Sequence, residues 1–278
     1  MEIISKNMKF LIGKVKKIDN LFRALRNYLK SVPSLRKIKN FSELRLLFSP
    51  WYHDFESLGI KTPFPADKTY AEYQELKGII CNKYILKAMS EIRIMDQQKN
   101  VQILEYFAAD CYYGIQALVF DKNSKLTAID KLDESGEGKK RVNNFEKAKL
   151  IARVLKLQDR IRFITGDVFD YFEKCDLLLN IGGLYHLENP DDLLLQMRKI
   201  SPEYAVIQSV VHEDINHADF FVTPAPQWTW GSRFTYGYLR KLIIDSGYAV
   251  LEEDFNLLYL NDRPEDRGSA YFLVKRDN

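Results

Sequence analysis

No apolar run in this chain approaches the roughly 18 residues that a membrane-spanning helix requires, so a helical membrane protein is not expected. The N-terminus lacks a compact apolar segment followed by a small-residue cleavage site, so secretion is not expected either. Cysteine is scarce: Cys81, Cys111 and Cys175 are the three, with no CxxC pair and no metal-ligand spacing. They read as free thiols of a reducing cytoplasm. His53 and His217 stand apart in the sequence and complete no metal set. Internal repeats and low-complexity tracts are missing as well. What is present fits a globular chain: 278 residues, 46% hydrophobic and 13% aromatic, enough for one large α/β domain with an N-terminal extension.

The net charge of +3 hides an asymmetry. Residues 1–48 hold 12 Lys or Arg against three acids, Glu2, Asp19 and Glu43, so this arm carries +9 and the remainder −6. A basic arm on an acidic body points to RNA or another anionic surface. The plainer reading is a solvated helical face packed on the main domain. Apolar residues recur at helical spacing over 8–30, from Phe10 and Leu11 to Leu25 and Leu29, until Pro33 ends the run. A short helix is expected near 41–48, an aromatic turn at Ser49–Phe55, and a long helix over 70–96.

From Val101 the pattern becomes short apolar runs alternating with helices. Strands are expected at Val101–Tyr106, Lys125–Asp130, Ile161–Thr165, Asp176–Ile181 and Tyr204–Val210, with two more near 249–255 and 269–275. Helices are expected at Tyr113–Phe120, 141–156, Pro190–Ile200 and Thr235–Ser246. Strand and helix in alternation mean a parallel sheet covered on both faces. Such sheets bind ligands at the carboxyl ends of their strands.

Three acids fall at those ends. Glu105 closes the first strand, Asp130 the second, and Gly166-Asp167-Val168 follows the third. Asp130 lies at the right distance to accept from two ribose hydroxyls. Asp167 can accept an adenine amino proton, with Val168 as the apolar neighbour against the ring. The fourth strand runs into Ile181-Gly182-Gly183, where glycine lets backbone approach a ligand. Glycine is missing from the first loop, however: Phe107, Ala109 and Cys111 stand where glycines are expected.

At these residues the chain resembles class I methyltransferases that use S-adenosylmethionine (SAM). It is similar to a branch whose first motif reads roughly ELFCADGYYG, here Glu105 to Gly114, with Cys111 in place of a glycine. The branch also carries GGLYHL before a proline, matched by Gly182 to Pro190. Two later segments match from Thr223 to Phe234 and from Asn261 to Leu273. A more distant similarity is to enzymes that move a carboxymethyl group from carboxy-SAM to the wobble uridine of tRNA. It rests on Tyr185-His186 and on Pro50, Trp51, Gly59, Ile60 and Thr62.

The resemblance implies an α/β fold: a Rossmann-like class I methyltransferase with a mostly parallel seven-stranded sheet, helices on both faces and an N-terminal helical extension. The expected organisation is a basic arm at 1–48, a helical lead-in at 49–99 and the SAM-binding domain at 100–278. The expected cofactor is SAM, with carboxy-SAM as the alternative, held by Glu105, Phe107, Ala109, Asp110, Tyr113, Asp130, Asp167, Val168, Ile181 and Gly182. His186 is the candidate base and Tyr185 its companion. His212 and Glu213 after the fifth strand are weaker candidates. Trp228, Trp230 and Arg233 are expected to wall a small-molecule acceptor, and Arg267 to supply a second cation. Three functions follow: transfer of a methyl group to an O or N nucleophile of a small molecule or glycan precursor, modification of tRNA, or a non-catalytic SAM-binding scaffold. A cytoplasmic location is expected for each.

Overall fold

The computed structural model describes residues 43, 46, 51–60, 62, 68–131, 144–227, 229–258 and 262–277. The basic arm other than Glu43 and Leu46, and Trp228 of the expected acceptor wall, lie outside the described residues. Helix α1 (Lys68–Met95) leads into an alternation of strand and helix. The strands of the main sheet are β1 (Gln102–Tyr106), β2 (Lys125–Asp130), β3 (Ile161–Thr165), β4 (Leu177–Ile181), β5 (Tyr204–Val211), β8 (Tyr248–Leu257) and β9 (Gly268–Arg276). Strands β6 (Phe221–Val222) and β7 (Arg233–Phe234) form a separate two-residue ribbon. The helices between them are α2 (Tyr112–Phe120), α3 (Asn144–Val154), α4 (Pro190–Ile200) and α5 (Tyr236–Asp245).

The sheet runs β3-β2-β1-β4-β5-β9-β8. Strands β1 to β5 are mutually parallel, and β9 pairs antiparallel with both β5 and β8. The order reverses between β1 and β4, which is where an open parallel sheet leaves a crevice. The expected elements and the observed ones differ by up to two residues at their ends, apart from the helix expected from 141, which is described from Asn144. The ribbon β6-β7 was not expected, since two-residue strands leave no period to read.

Side-chain alternation distributes the strands between two cores. Ile103, Leu177, Leu179, Val206 and Leu273 face α1, α2 and α3. Leu104, Leu178, Ile207 and Phe272 face α4 and α5. Local signals set the helix ends. Pro190 opens α4, Asp191 and Asp192 sit in its first turn, and Arg198 and Lys199 in its last, each sign placed to suit the helix dipole. Thr235 caps α5 by accepting the Tyr238 amide at 3.3 Å.

The first core reaches back before α1. Trp51, Phe55 and Ile60 are buried in it, beneath a turn closed by left-handed Gly59. Phe55 is fully buried, edge-on to Trp51 at 5.6 Å and to Tyr112 at 5.3 Å. The aromatic turn is therefore part of the packing beneath the sheet. Phe55→Ala should lower unfolding free energy by about 3–5 kcal/mol, the usual cost of a phenyl-sized core cavity, as read from the urea midpoint at unchanged slope.

Candidate functional site

The crevice is built on the loop from β1 to α2. Phe107, Ala109 and Cys111 all have positive φ, at 54°, 46° and 57°. These are the three positions where glycine was expected, and the backbone keeps the glycine conformation without glycine. Each left-handed residue with a Cβ costs about 1–2 kcal/mol. Several contacts hold the loop against that cost. The Ala109 amide donates to Asp130 Oδ2 at 2.7 Å, the Ala108 amide to the Ile129 carbonyl at 3.1 Å, and the Cys111 amide to the Ala108 carbonyl at 2.6 Å. The Phe107 ring lies against Gly183, leaving no room there for a Cβ.

Glu105 is buried beneath the loop rather than in the crevice. Its Oε2 and the Leu126 side chain would each sit 2.5 Å from a Cβ on Gly114, so α2 presses directly onto the strand tip. Burial pushes the Glu105 carboxyl well above its ordinary range, partly offset by the Gly114 amide. Asp110, expected to bind the cofactor, lies between left-handed Ala109 and Cys111 and is fully buried. His53 clasps it there: the amide donates to Oδ2 at 3.1 Å, and Nδ1 lies 2.7 Å from Oδ1. The His53 ring stacks on Tyr112 at 4.7 Å. This residue had no visible role in the sequence, because its partner is 57 positions away.

At the tip of β2, Asp130 holds the loop with one oxygen, as described above. At the tip of β3, Asp167 caps a short 3-10 turn, accepting the Phe169 amide at 3.0 Å, with Lys131 Nζ at 3.4 Å. Val168 turns into the second core, so Phe169 is the half-buried apolar side chain beside Asp167. At the tip of β4, Ile181 is buried in the first core, Gly182 has φ +86°, and its amide donates to the Gln208 carbonyl at 3.0 Å.

Across the crevice the segment before α5 folds back onto Tyr185. Gly231, at φ +76°, lies so close that a Cβ would be 2.7 Å from the Tyr185 carbonyl. The same carbonyl accepts the Ser232 amide at 3.2 Å. Trp230, 43% exposed, stacks on His186 with centroids 5.2 Å apart, and Tyr185 flanks His186 at 4.1 Å. Desolvation among these rings, then the charges of Arg233 and Lys77, lower the His186 pKa to about 4, although the residue is exposed as a whole and water screens much of the effect. The imidazole is neutral near pH 7.

Arg233 is not a free hook for substrate. It is buried, ion-paired with Asp266, and donates to the Ser232 carbonyl at 2.7 Å. Asp266 also pairs with Arg263, which reaches the Pro226 carbonyl at 2.6 Å. The three residues pin the segment to the turn before β9. Arg267 pairs with Glu213 at 2.9 Å and donates to the Asp262 carbonyl at 2.8 Å. His212 lies against His217 at 4.3 Å, on the outer side of the same turn. Among the described residues, no three His, Cys, Asp or Glu side chains gather as a metal site would need.

Several buried polar atoms at these strand ends have no hydrogen-bond partner: the Tyr113 hydroxyl, Gln208 Oε1, the Ser232 hydroxyl and both amide atoms of Asn180. Lys77 of α1 lies beside Gln208, with Nζ 3.0 Å from where a Cβ on Gly182 would lie. Neither Lys77 nor Gln208 stood out in the sequence, since each sits in an unremarkable helix or strand pattern.

No protein-family model matches the chain, and no curated protein matches it. Among solved structures it is similar to the N-terminal domain of EvdMO1 with S-adenosylhomocysteine bound, at 16% identity and a TM-score of 0.56, over 85% of this chain and 94% of that one. The same domain in the presence of S-adenosylhomocysteine and D-fucose gives a TM-score of 0.55. The [4+2]-cyclase SpnF is similar at 12% identity and a TM-score of 0.54, over 76% of this chain and 86% of that one. These likenesses establish the architecture as the class I methyltransferase fold.

The loop geometry carries a direct test. Ala109→Gly should relieve a left-handed Cβ at little cost in packing, and raise unfolding free energy by about 1 kcal/mol. Thermal denaturation measures it, and a drop in Tm would show that Ala109 does not hold this conformation.

Proposed function

We propose that this chain is a SAM-dependent methyltransferase acting on an oxygen or nitrogen nucleophile of a small molecule or glycan precursor. The observation that carries this reading is the loop at 107–111. It keeps a glycine-type backbone at three alternate residues without glycine, and it docks on a carboxylate at the switch point. A chain has little reason to retain about 3–6 kcal/mol of local strain unless the loop shape serves a ligand.

The residues present fit SAM. Asp130 offers an acceptor at the second strand tip for a ribose diol, and Asp167 offers one at the third for an adenine amino group. The Gly182 backbone, with no side chain in the way, can approach the amino-acid end. The unpartnered buried atoms near β4 and β5 await polar company. The similar EvdMO1 domain, crystallised with S-adenosylhomocysteine and with D-fucose present, supports both the donor and a sugar-sized acceptor.

The chemistry that SAM brings when bound is a methyl group on a sulfonium leaving group. The chain then has to align an acceptor and shield it from water. Proximity of this kind, with reacting atoms about 3–3.5 Å apart, supplies much of the rate in such displacements. Trp230, His186 and Tyr185 form a stack of rings, and Gly231 holds the segment of Trp230 against the Tyr185 backbone. His186 is neutral, so it can take a proton from a hydroxyl or ammonium acceptor, although its low pKa makes it a weak base.

Two outcomes test the reading. Asp130→Ala should weaken S-adenosylhomocysteine binding about tenfold to a hundredfold, the worth of hydrogen bonds to a charged partner. Unchanged affinity in calorimetry would remove Asp130 from the site, and a wild type that binds no S-adenosylhomocysteine would remove the donor. Trp230→Ala should abolish methyl transfer across a panel of hydroxyl and amine acceptors while donor affinity stays within about twofold. Retained turnover would make the indole a mere cover.

A further inference from the structure

Lys77 is a buried cation without a counter-ion. It is 7% exposed, and it lies over the rings of Tyr73 at 5.8 Å and Tyr113 at 6.0 Å. No carboxylate among the described residues lies within ion-pair distance of it. Asp110, the acid whose charge it feels, is taken by His53. The Cys81 thiol one turn along is pushed up to about 12 by burial and stays neutral. Burial lowers the Lys77 pKa to about 8, which leaves it charged at neutral pH.

An ammonium buried alone is costly, and cations so placed normally meet an anion. Two neighbours are equally incomplete: Gln208 Oε1 lies 3.6 Å from the same point above Gly182, and both it and the buried Tyr113 hydroxyl have no partner. Lys77 of α1 and Gln208 of β5 thus converge on the tip of β4, with the Tyr113 ring of α2 beside the ammonium. They stand on the β4-β5-β9 side of the switch point, across from the strand tips that carry Asp130 and Asp167. The same β4 tip runs on into the turn Leu184–His186, which carries Tyr185 and His186.

We infer that Lys77 anchors a carboxylate of the bound ligand at Gly182, and that the acceptor of this transferase is a small carboxylic acid whose anion pairs with Lys77 while its body lies on the wall of Tyr185, His186 and Trp230. The inference rests on the crevice being the SAM site proposed above. The same ammonium could serve the carboxylate at the amino-acid end of the donor, and the experiment separates the two sources.

Wild type and K77M would be saturated with S-adenosylhomocysteine and titrated with benzoate and with benzamide, its uncharged counterpart. Wild type should bind benzoate at least tenfold more tightly than benzamide, K77M should lose that preference, and its donor affinity should stay within twofold. K77R should retain part of the preference. Loss of donor affinity in K77M, with the benzoate preference intact, would overturn the acceptor assignment and give Lys77 to the donor. Equal binding of the two probes by wild type would overturn the anchor itself. If K77M does not fold, K77Q carries the same comparison. A wild type that binds no S-adenosylhomocysteine fails the donor reading alone, since the benzoate preference and its dependence on Lys77 can be measured without it.

Discussion

The hydrogen bond from the Ala109 amide to Asp130, 2.7 Å long, is the contact on which the crevice depends. It joins the first strand's loop to the second strand's tip and so fixes the wall on the β1-β2 side of the switch point. It also holds the middle of a loop whose alternate residues are left-handed. Released from that carboxylate, Phe107, Ala109 and Cys111 would each gain by returning to an ordinary backbone. The loop therefore survives because its neighbours over-determine it: Cys111 and Asp110 are buried below, the Phe107 ring lies on Gly183 beside it, and Glu105 braces α2 beneath. Strain maintained in this way marks a place where shape matters more than local stability.

A second constraint acts from the other side. Arg233, Asp266 and Arg263 form a buried chain of charges that fastens the segment before α5 to the turn before β9. Removing one member would leave an uncompensated charge in the interior, a loss of several kcal/mol. The chain is structural, yet its effect is local to the crevice. With the segment pinned, Gly231 is held against the Tyr185 carbonyl, and the Trp230 indole is left over His186.

The fold was legible because hydrophobic alternation and helix-end signals are local. Five parallel strands and the helices α2 to α5 could be placed from runs such as Leu177–Ile181 and from Pro190 with its acids. The acidic tips Asp130 and Asp167 were legible for the same reason, as they follow those runs directly. Direction was not legible. Asp110 looked like its neighbours in the motif, but the sign of φ on either side sends it toward His53. Arg233 looked like a free cation because Asp266 lies 33 residues away. Lys77 was invisible, since a lysine in a long helix reads as solvated until the packing of α1 against the sheet turns it inward. Contacts across tens of residues decide which polar groups are spent on structure and which are left over.

That distinction is the better guide to chemistry here than residue type. Arg233 and Lys77 are both buried cations near His186, and both lower its proton affinity. Arg233 has its carboxylate and two further donor contacts, to the Tyr185 and Ser232 carbonyls, so it has little to offer a ligand. Lys77 has only ring faces. In a folded interior such an imbalance is destabilising. It persists at the crevice beside Gln208 Oε1, which has no partner. Two such groups on two elements, meeting at a glycine that leaves them room, are arranged for something that arrives from outside. The strand tips with Asp130 and Asp167 present carboxylates, and the tip of β4, with Lys77 of α1 above it, presents a cation. A ligand pair lying across the switch point would therefore meet acceptors for its hydroxyl and amino groups on one side and a cation for its acid on the other.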